Sequence, residues 1–501
     1  MRISVEAFFL HAGYRGTLQS QIRQLISTAI LDAKFLPGER LPSTRRLASH
    51  LGISRITVTL AYEDLVADGY LESRPRSGTF VADTAPFPDN PAPGEPSMDR
   101  INWDRAMCRR FAGAKRVRKA RNWRQFRFPF VYGQTDPELF SHSHWRQCTL
   151  QTLGKREFDS LASDLSEHDD AELVAYIIRH ILPRRGILAR PEQILVTAGA
   201  QNALWIIAHL LLAPGRVAVH ENPGYPDLRA IIGHTGCTAI AQDIDGDGLD
   251  PDRVSPRADV VFATPSHQAP TAATMPMPRR RRWLELAKRR GFLIVEDDYE
   301  FEMSFLHPAL PALKSLDRDG HVVYVGSFSK SLFPGLRLGF LVASEAFVRQ
   351  ARALRTIVLR HLPGHVQRTT ARFLALGHYD ALILRMKSAY HDRHRVMLDA
   401  IGRHRLEVAG RGQFGGSSFW MQAPDGLDCE LLADRLAVAG VLIEPGAPFF
   451  AGGSVPTHYY RLAYSSIPVN RIAEGIRRIR NAIDETLDAP GTKPDSAEDR
   501  T

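Results

Sequence analysis

At 501 residues the chain is too long for one ordinary core, so two or three domains are expected. The composition, 44% hydrophobic and 24% charged, is that of a globular protein and excludes a disordered polymer. The formal net charge of +9, with a pI near 9.5, permits a nucleic-acid partner without requiring one. The four cysteines, Cys108, Cys148, Cys237 and Cys429, form no C-x-x-C pair. They suit a reducing cytosol and argue against a zinc site or a disulfide framework. The opening "MRISVEAFFLHAGYRG" has too short an apolar run for a signal peptide. The longest apolar run, "LWIIAHLLLAP", is broken by His209 and reads as a buried helix, far short of a membrane span. A cytoplasmic protein with no membrane partner is expected.

In chain order, the first element is helical: Leu18, Ile22, Leu25, Ile26, Ala29 and Ile30 recur at helical spacing in "TLQSQIRQLISTAILDAKF". "LPGERLP" breaks it. "STRRLASHLG" then starts at a Ser43 cap and stops at Gly52, and "ISRITVTLAYEDLVADGY" starts at a Ser54 cap. Two helices joined by a tight glycine-containing turn make a helix-turn-helix. "YLESRPRSGTFV" reads as two short strands around "RPRSG", a wing. In this motif the second helix enters the major groove. Ser54, Arg55 and Thr57 at its start are therefore candidates for bases or phosphates. Arg45 and Arg46 on the preceding helix are candidates for phosphates. Arg74, Arg76 and Gly78 are candidates for bringing the wing to the backbone or minor groove. This head occupies residues 1–81.

Residues 82–128 read as a connector. "ADTAPFPDNPAPGEPSMD" is rich in Pro, Asp and Ala and has no periodicity, the pattern of a semi-rigid or disordered linker. A basic run follows, in which Asp104 alone answers eleven Lys and Arg residues between positions 100 and 127. It reads as a solvated linker, with added attraction for phosphates as the alternative.

From 129 to 487 helical and strand patterns alternate. "QILVTAGA", "RVAVHENPGYP", "ADVVFATPSHQAPT", "FLIVEDDY" and "HVVYVGSFSK" each run from apolar residues to a polar cluster at the C-terminal end. Apolar runs separated by helices predict an α/β domain with a mostly parallel sheet, and such sheets bind ligands beyond the carboxyl ends of their strands. Every polar cluster falls there. Gly199 and Ala200 sit where a strand turns into a helix, a place where backbone N–H groups bind phosphate. Ser327, Ser329 and Arg337 add hydroxyl and guanidinium donors. Asp297 ends an apolar strand, and a buried carboxylate needs a cationic or hydrogen-bonding partner, which a protonated pyridine nitrogen would supply. Tyr299 can bond a phenolic oxygen, Tyr225 offers a ring face, and Lys330 can form a Schiff base with an aldehyde. Together these groups describe a site for pyridoxal 5′-phosphate. Singly, Asp297 reads equally as a strand-end cap and Tyr225 as turn packing. A tail, 488–501, is expected to be disordered.

The segment from about 14 to 81 resembles the winged helix-turn-helix of the GntR family of bacterial transcription regulators, which implies Arg45, Arg55 and Gly78 as DNA contacts. "TAGAQNAL", "ENPGYP", "TPSHQAPT", "VEDDYEFEM", "YVGSFSKSLFPGLRLGF", "EPGAPFF" and "YRLAYSS" resemble the fold-type I aminotransferase domain of MocR-type regulators, which join such a head to such a body. The resemblance implies Lys330 as the Schiff-base lysine, Asp297 on the pyridine nitrogen and Tyr299 on the phenolic oxygen. It implies Ala200, Gln201, Ser327 and Arg337 on the phosphate, Tyr225 over the ring, and Arg461 on the carboxylate of an amino-acid effector. Two stretches depart from the family pattern. "SEHDDAELVAYIIRHIL" has no glycine, and a Pro-Thr-Gly loop is here Pro270, Thr271, Ala272. Both border the substrate side in the relatives.

The expected function is a DNA-binding transcription regulator that depends on pyridoxal 5′-phosphate and senses an amino compound or the cofactor itself. A homodimer is expected, because two heads suit two half-sites of a double-stranded operator and fold-type I sites are completed by a second subunit. The rivals are a working aminotransferase with a secondary head, and a DNA-binding protein whose body is a scaffold without cofactor.

Overall fold

The computed structural model describes residues 2–86, 101–108, 111, 117, 120–164, 167–410 and 412–488. Most of the proline-rich connector, much of the basic run and the tail beyond Asp488 lie outside the described residues. The chain divides into two compact units, Met1–Arg110 and Phe111–Thr501.

In the first unit three helices pack on a two-stranded wing. Helix α1 (Leu18–Leu31) starts where the Thr17 hydroxyl accepts from the Ser20 N–H at 3.2 Å, and it buries Ile22, Ile26 and Ile30, one turn apart. Helix α2 (Thr44–Leu51) is capped by Ser43 and closed by Gly52 at φ 65°, a conformation that favours glycine. Helix α3 (Arg55–Ala67) is capped by Ser54 and buries Val58, Ala61, Tyr62 and Leu65. The Tyr62 hydroxyl donates to the Pro42 carbonyl at 3.0 Å, which ties α3 to the turn before α2. Strands β1 (Leu71–Arg74) and β2 (Gly78–Val81) pair antiparallel and form the expected wing.

The second unit is built on a seven-stranded sheet. Its strands in chain order are β3 (Ile194–Thr197), β4 (Val217–Asn222), β5 (Thr238–Asp243), β6 (Val260–Ala263), β7 (Leu293–Asp298), β8 (Val322–Ser327) and β9 (Gly339–Val342). The spatial order is β3-β9-β8-β7-β6-β4-β5, and all pairings are parallel except those of β9. The period of two explains the unbroken apolar runs. Ala218, Val260, Val295 and Val323 pack with Leu204 and Ile207 of the helix Ala200–Leu211. Their neighbours Val219, Val261, Ile294 and Val322 pack with Trp283 and Leu286 of the helix Met277–Arg290. Each buried Val, Leu or Ile among them contributes about 1.5–3 kcal/mol by leaving water. A smaller antiparallel sheet holds β10 (Glu407–Gly410), β11 (Ser418–Gln422), β12 (Glu444–Pro445) and β13 (Tyr459–Ala463) in the order β10-β11-β13-β12. Its register sets Arg461 directly opposite Glu444.

No helix of the described residues is long and apolar enough to cross a membrane. Among the described residues no group of three or more His, Cys, Asp or Glu is placed to hold a metal.

Candidate functional site

The carboxyl ends of β3, β7 and β8 open on one cavity of about 340 Å³. Ala200, Gln201, Tyr225, Asp297, Tyr299, Ser327, Lys330, Arg337 and Arg461 all line it. Residues as far apart in sequence as Ala200 and Arg461 therefore meet, as the parallel-sheet argument requires. A larger groove of about 700 Å³, along Ala171–Arg179 and Glu345–Arg352, holds none of them.

One end of the cavity suits an anion. After β3 the chain turns through Gly199 at φ 82° into the helix Ala200–Leu211, whose first N–H groups have no partners within the helix. A Cβ at Gly199 would lie 3.3 Å from Nη2 of Arg337, so glycine lets the guanidinium lie against this turn. Arg337 Nη2 donates to the Ala198 carbonyl at 3.2 Å. Ser327 ends β8, and its hydroxyl accepts from the Ser329 N–H at 3.2 Å. The Ser329 hydroxyl is buried without a hydrogen-bond partner.

Asp297 and Asp298 are neighbours in sequence but differ in role. Asp298 accepts from Arg185 Nε at 2.7 Å and from the Tyr324 hydroxyl at 2.9 Å. Burial pushes its carboxyl up, but Arg185, Ser266 and Tyr324 more than offset this and hold it below the usual range. Asp297 Oδ1 is buried with no hydrogen-bond partner. Burial, then the nearby Asp298 and Glu221, push its carboxyl up to about 8, with Lys330 opposing. A cationic N–H donor at Oδ1 is the partner this oxygen lacks.

The other end carries side chains that sequence reasoning passed over. Tyr132 lies between the two cations: its ring centroid is 4.2 Å from Lys330 Nζ and 3.8 Å from Arg461 Cζ. Its hydroxyl donates to Glu300 Oε2 at 3.4 Å. Glu300 also accepts from the Ser417 hydroxyl, and burial pushes its carboxyl up. Burial, then Glu300, push the phenols of Tyr132 and Tyr299 well above their usual range, so both stay protonated. Arg461 donates through Nε to Glu444 Oε2 at 2.8 Å, and its Nη2 forms an ion pair with the same oxygen at 2.7 Å. Tyr132 follows the apolar run Phe128–Val131, and Glu444 opens "EPGAPFF" after the apolar run Val441–Ile443; a polar group at the end of an apolar run was the signal for both.

In the head, Arg45, Arg46, Arg55 and Arg76 are exposed. Arg55 Nε reaches the Thr44 hydroxyl at 3.4 Å, and Arg76 sits at the wing tip with φ 58°. The Ser54 hydroxyl accepts from the Ile56 N–H at 3.3 Å, and Thr57 is half-buried. Arg74 pairs with Glu72 on its own strand and lies 4.5 Å from the Phe80 ring centroid. Gly78, at φ 115°, leaves room for Arg40, whose Nε would lie 3.0 Å from a Cβ there.

Residues 18–81 match the family model of bacterial regulatory proteins of the gntR family, and residues 145–479 match aminotransferase class I and II. The HTH-type transcriptional regulator TauR of Rhodobacter capsulatus is 55% identical over 96% of this chain and the whole of that protein. The probable rhizopine catabolism regulatory protein MocR of Rhizobium meliloti is 31% identical over 95% of this chain and 96% of that protein. The chain is a MocR-type regulator of the GntR family. Like other MocR-type proteins it joins a winged helix-turn-helix to a fold-type I aminotransferase body. Among solved structures it is similar to LysN, the α-aminoadipate aminotransferase of Thermus thermophilus, in complex with N-(5′-phosphopyridoxyl)-L-leucine. The TM-score is 0.68 at 29% identity, over 77% of this chain and 99% of that one. Class I and II aminotransferases depend on pyridoxal 5′-phosphate.

Proposed function

We propose that this MocR-type regulator binds pyridoxal 5′-phosphate in the 340 Å³ cavity and couples its occupancy to binding of a double-stranded DNA operator. The observation that carries the reading is Asp297 Oδ1, a buried oxygen without a hydrogen-bond partner in a cavity also lined by phosphate donors and an amine. These residues fit the cofactor. Ala200, Gln201, Ser327 and Arg337, with Ser329, would hold its phosphate. Asp297 would keep a proton on its ring nitrogen, Tyr299 would serve its phenolic oxygen, and Tyr225 would lie at its ring. When bound, the cofactor supplies an aldehyde that can pass from one amine to another.

The protein's own groups do the rest. Lys330 presents its amine to that aldehyde, against the face of Tyr132. Tyr132 and Tyr299 remain neutral donors, and Arg461 marks the end where an effector's acid group is bound. An amino compound that competes with Lys330, or the cofactor itself, is the effector. Regulation requires that the ligand favour one of two arrangements of the protein. The chain is read as head 1–81, connector 82–128, body 129–487 and tail 488–501, a cytoplasmic homodimer on two half-sites.

The test is operator binding by the full-length protein, measured with and without pyridoxal 5′-phosphate, and with amino compounds added to the cofactor-loaded form. A change in affinity that Lys330→Ala loses supports the proposal. Identical affinity under all conditions counts against it.

A further inference from the structure

Two side chains on the head are badly placed for water. Ile56 is 67% exposed and Leu60 is 42% exposed, and they stand one turn apart on the outer face of α3. The opposite face, Val58, Ala61, Tyr62 and Leu65, already holds α3 in the head's core, so the fold does not need them. Neither has a hydrogen-bonding atom. Arg55, exposed and adjacent to Ile56, reaches the Thr44 hydroxyl of α2, the helix that carries the exposed Arg45 and Arg46, so the two helices bear cationic groups suited to phosphates. The Thr59 hydroxyl between them donates back to the Arg55 carbonyl at 3.0 Å, so it is engaged within the helix. The outer face of the first turns of α3 thus carries two apolar side chains beside Arg55, with Glu63 exposed one turn further on.

From this we infer that Ile56 and Leu60 read sequence, by packing on the 5-methyl groups of thymines in the major groove. The thymine methyl is the one apolar group that base edges present there. An isoleucine and a leucine can discriminate nothing else in that groove by hydrogen bonding. Arg55 and the wing position the head, and the apolar pair sets which base pairs it accepts. The operator half-site then carries thymines on adjacent steps beneath α3. This rests on the reading of the head as a DNA-binding module.

The test uses the full-length protein and a duplex enriched by it from a random-sequence pool. Each thymine of the protected half-site is replaced singly by deoxyuracil, which removes the methyl and leaves every hydrogen-bonding group. Wild type, Ile56→Ala and Leu60→Ala are compared by fluorescence anisotropy, after thermal melting has checked that both variants remain folded. The wild type should lose about fourfold in affinity at one or two of these positions, the worth of one buried methyl. Ile56→Ala or Leu60→Ala should bind the thymine duplex roughly tenfold more weakly and no longer distinguish it from the matching deoxyuracil duplex. The dependence of affinity on salt should stay as in wild type, since no phosphate contact is lost. A wild type indifferent to every deoxyuracil replacement overturns the inference while leaving DNA binding intact. So does an Ile56→Ala protein that still discriminates at the same thymines. If no duplex is enriched at all, the DNA-binding reading fails with it.

Discussion

Arg461 and Glu444 face each other on adjacent antiparallel strands, with Nε and Nη2 of the arginine both on one oxygen of the glutamate, at 2.8 and 2.7 Å. Both side chains are more than nine-tenths buried. The arginine expected to grip an effector's carboxylate therefore already holds one from its own chain. Removing one partner leaves an uncompensated buried charge, so Arg461→Ala should cost about 3–5 kcal/mol of stability besides any effect on the effector. The double variant Arg461→Ala/Glu444→Gln should recover much of that loss. Urea unfolding of the single and double variants checks this, and equal stability of the two would mean that the pair is not energetically coupled.

Glu444→Gln alone keeps the shape and removes the competing charge. Affinity for carboxylate-bearing amino compounds should rise by roughly tenfold, as one charged hydrogen-bonding partner ceases to compete. Titrating an amino acid into the cofactor-loaded variant and wild type, and reading the visible spectrum, tests it. Unchanged affinity would place effector acids away from Arg461.

The Asp297 carboxyl, pushed up to about 8 mainly by burial, keeps its proton in the folded state at pH values where the unfolded chain, near 3.9, has lost it. The folded state then binds more protons, so this group lowers stability progressively as pH rises from about 4 to about 8. Glu221, pushed up to about 7 by burial, acts in the same sense. Without cofactor, Asp297→Asn should melt higher than wild type at pH 8 and by a smaller margin at pH 5.5. With cofactor the order should reverse, because the asparagine cannot neutralise a ring nitrogen's proton. A variant that melts below wild type at pH 8 without cofactor would contradict the assignment.

Ala272, the last residue of the loop Pro270, Thr271, Ala272, stands at φ 59°, in the left-handed region that favours glycine. Its N–H donates to the Gln268 carbonyl at 2.7 Å, so the conformation is held by the loop. Ala272→Gly should relieve strain and stabilise by up to about 1 kcal/mol, net of the entropy a glycine adds to the unfolded chain. Chemical denaturation checks the sign. A loss of more than that would show that the alanine methyl is needed for packing.

What was legible in the sequence followed from periodicity. Apolar runs ending in polar clusters placed Asp297, Ser327 and Lys330 at strand ends, and parallel pairing then brought them to one cavity. Strand β9 was not among the runs read from the sequence; Gly339 follows Ser327 too closely for a crossover helix, and the strand pairs antiparallel. Contacts made by tertiary packing were not readable. Tyr132 reaches Glu300 across 168 positions, and Arg461 meets Glu444 only through strand register. The glycine-free segment forms the short helix Ala171–Tyr176 followed by a wider turn, Ile177–Ile181. Asp169 just before it is paired with Arg352 at 2.9 Å and with Arg355, partners no local pattern announces.

The most direct test of the central claim is the visible absorption spectrum of the purified full-length protein, with and without added pyridoxal 5′-phosphate, beside Lys330→Ala. The account predicts a yellow band in the wild type, fixed covalently by borohydride, and no fixed cofactor in the variant. A colourless wild type with cofactor in excess, or a Lys330→Ala protein that still traps cofactor covalently, would contradict it.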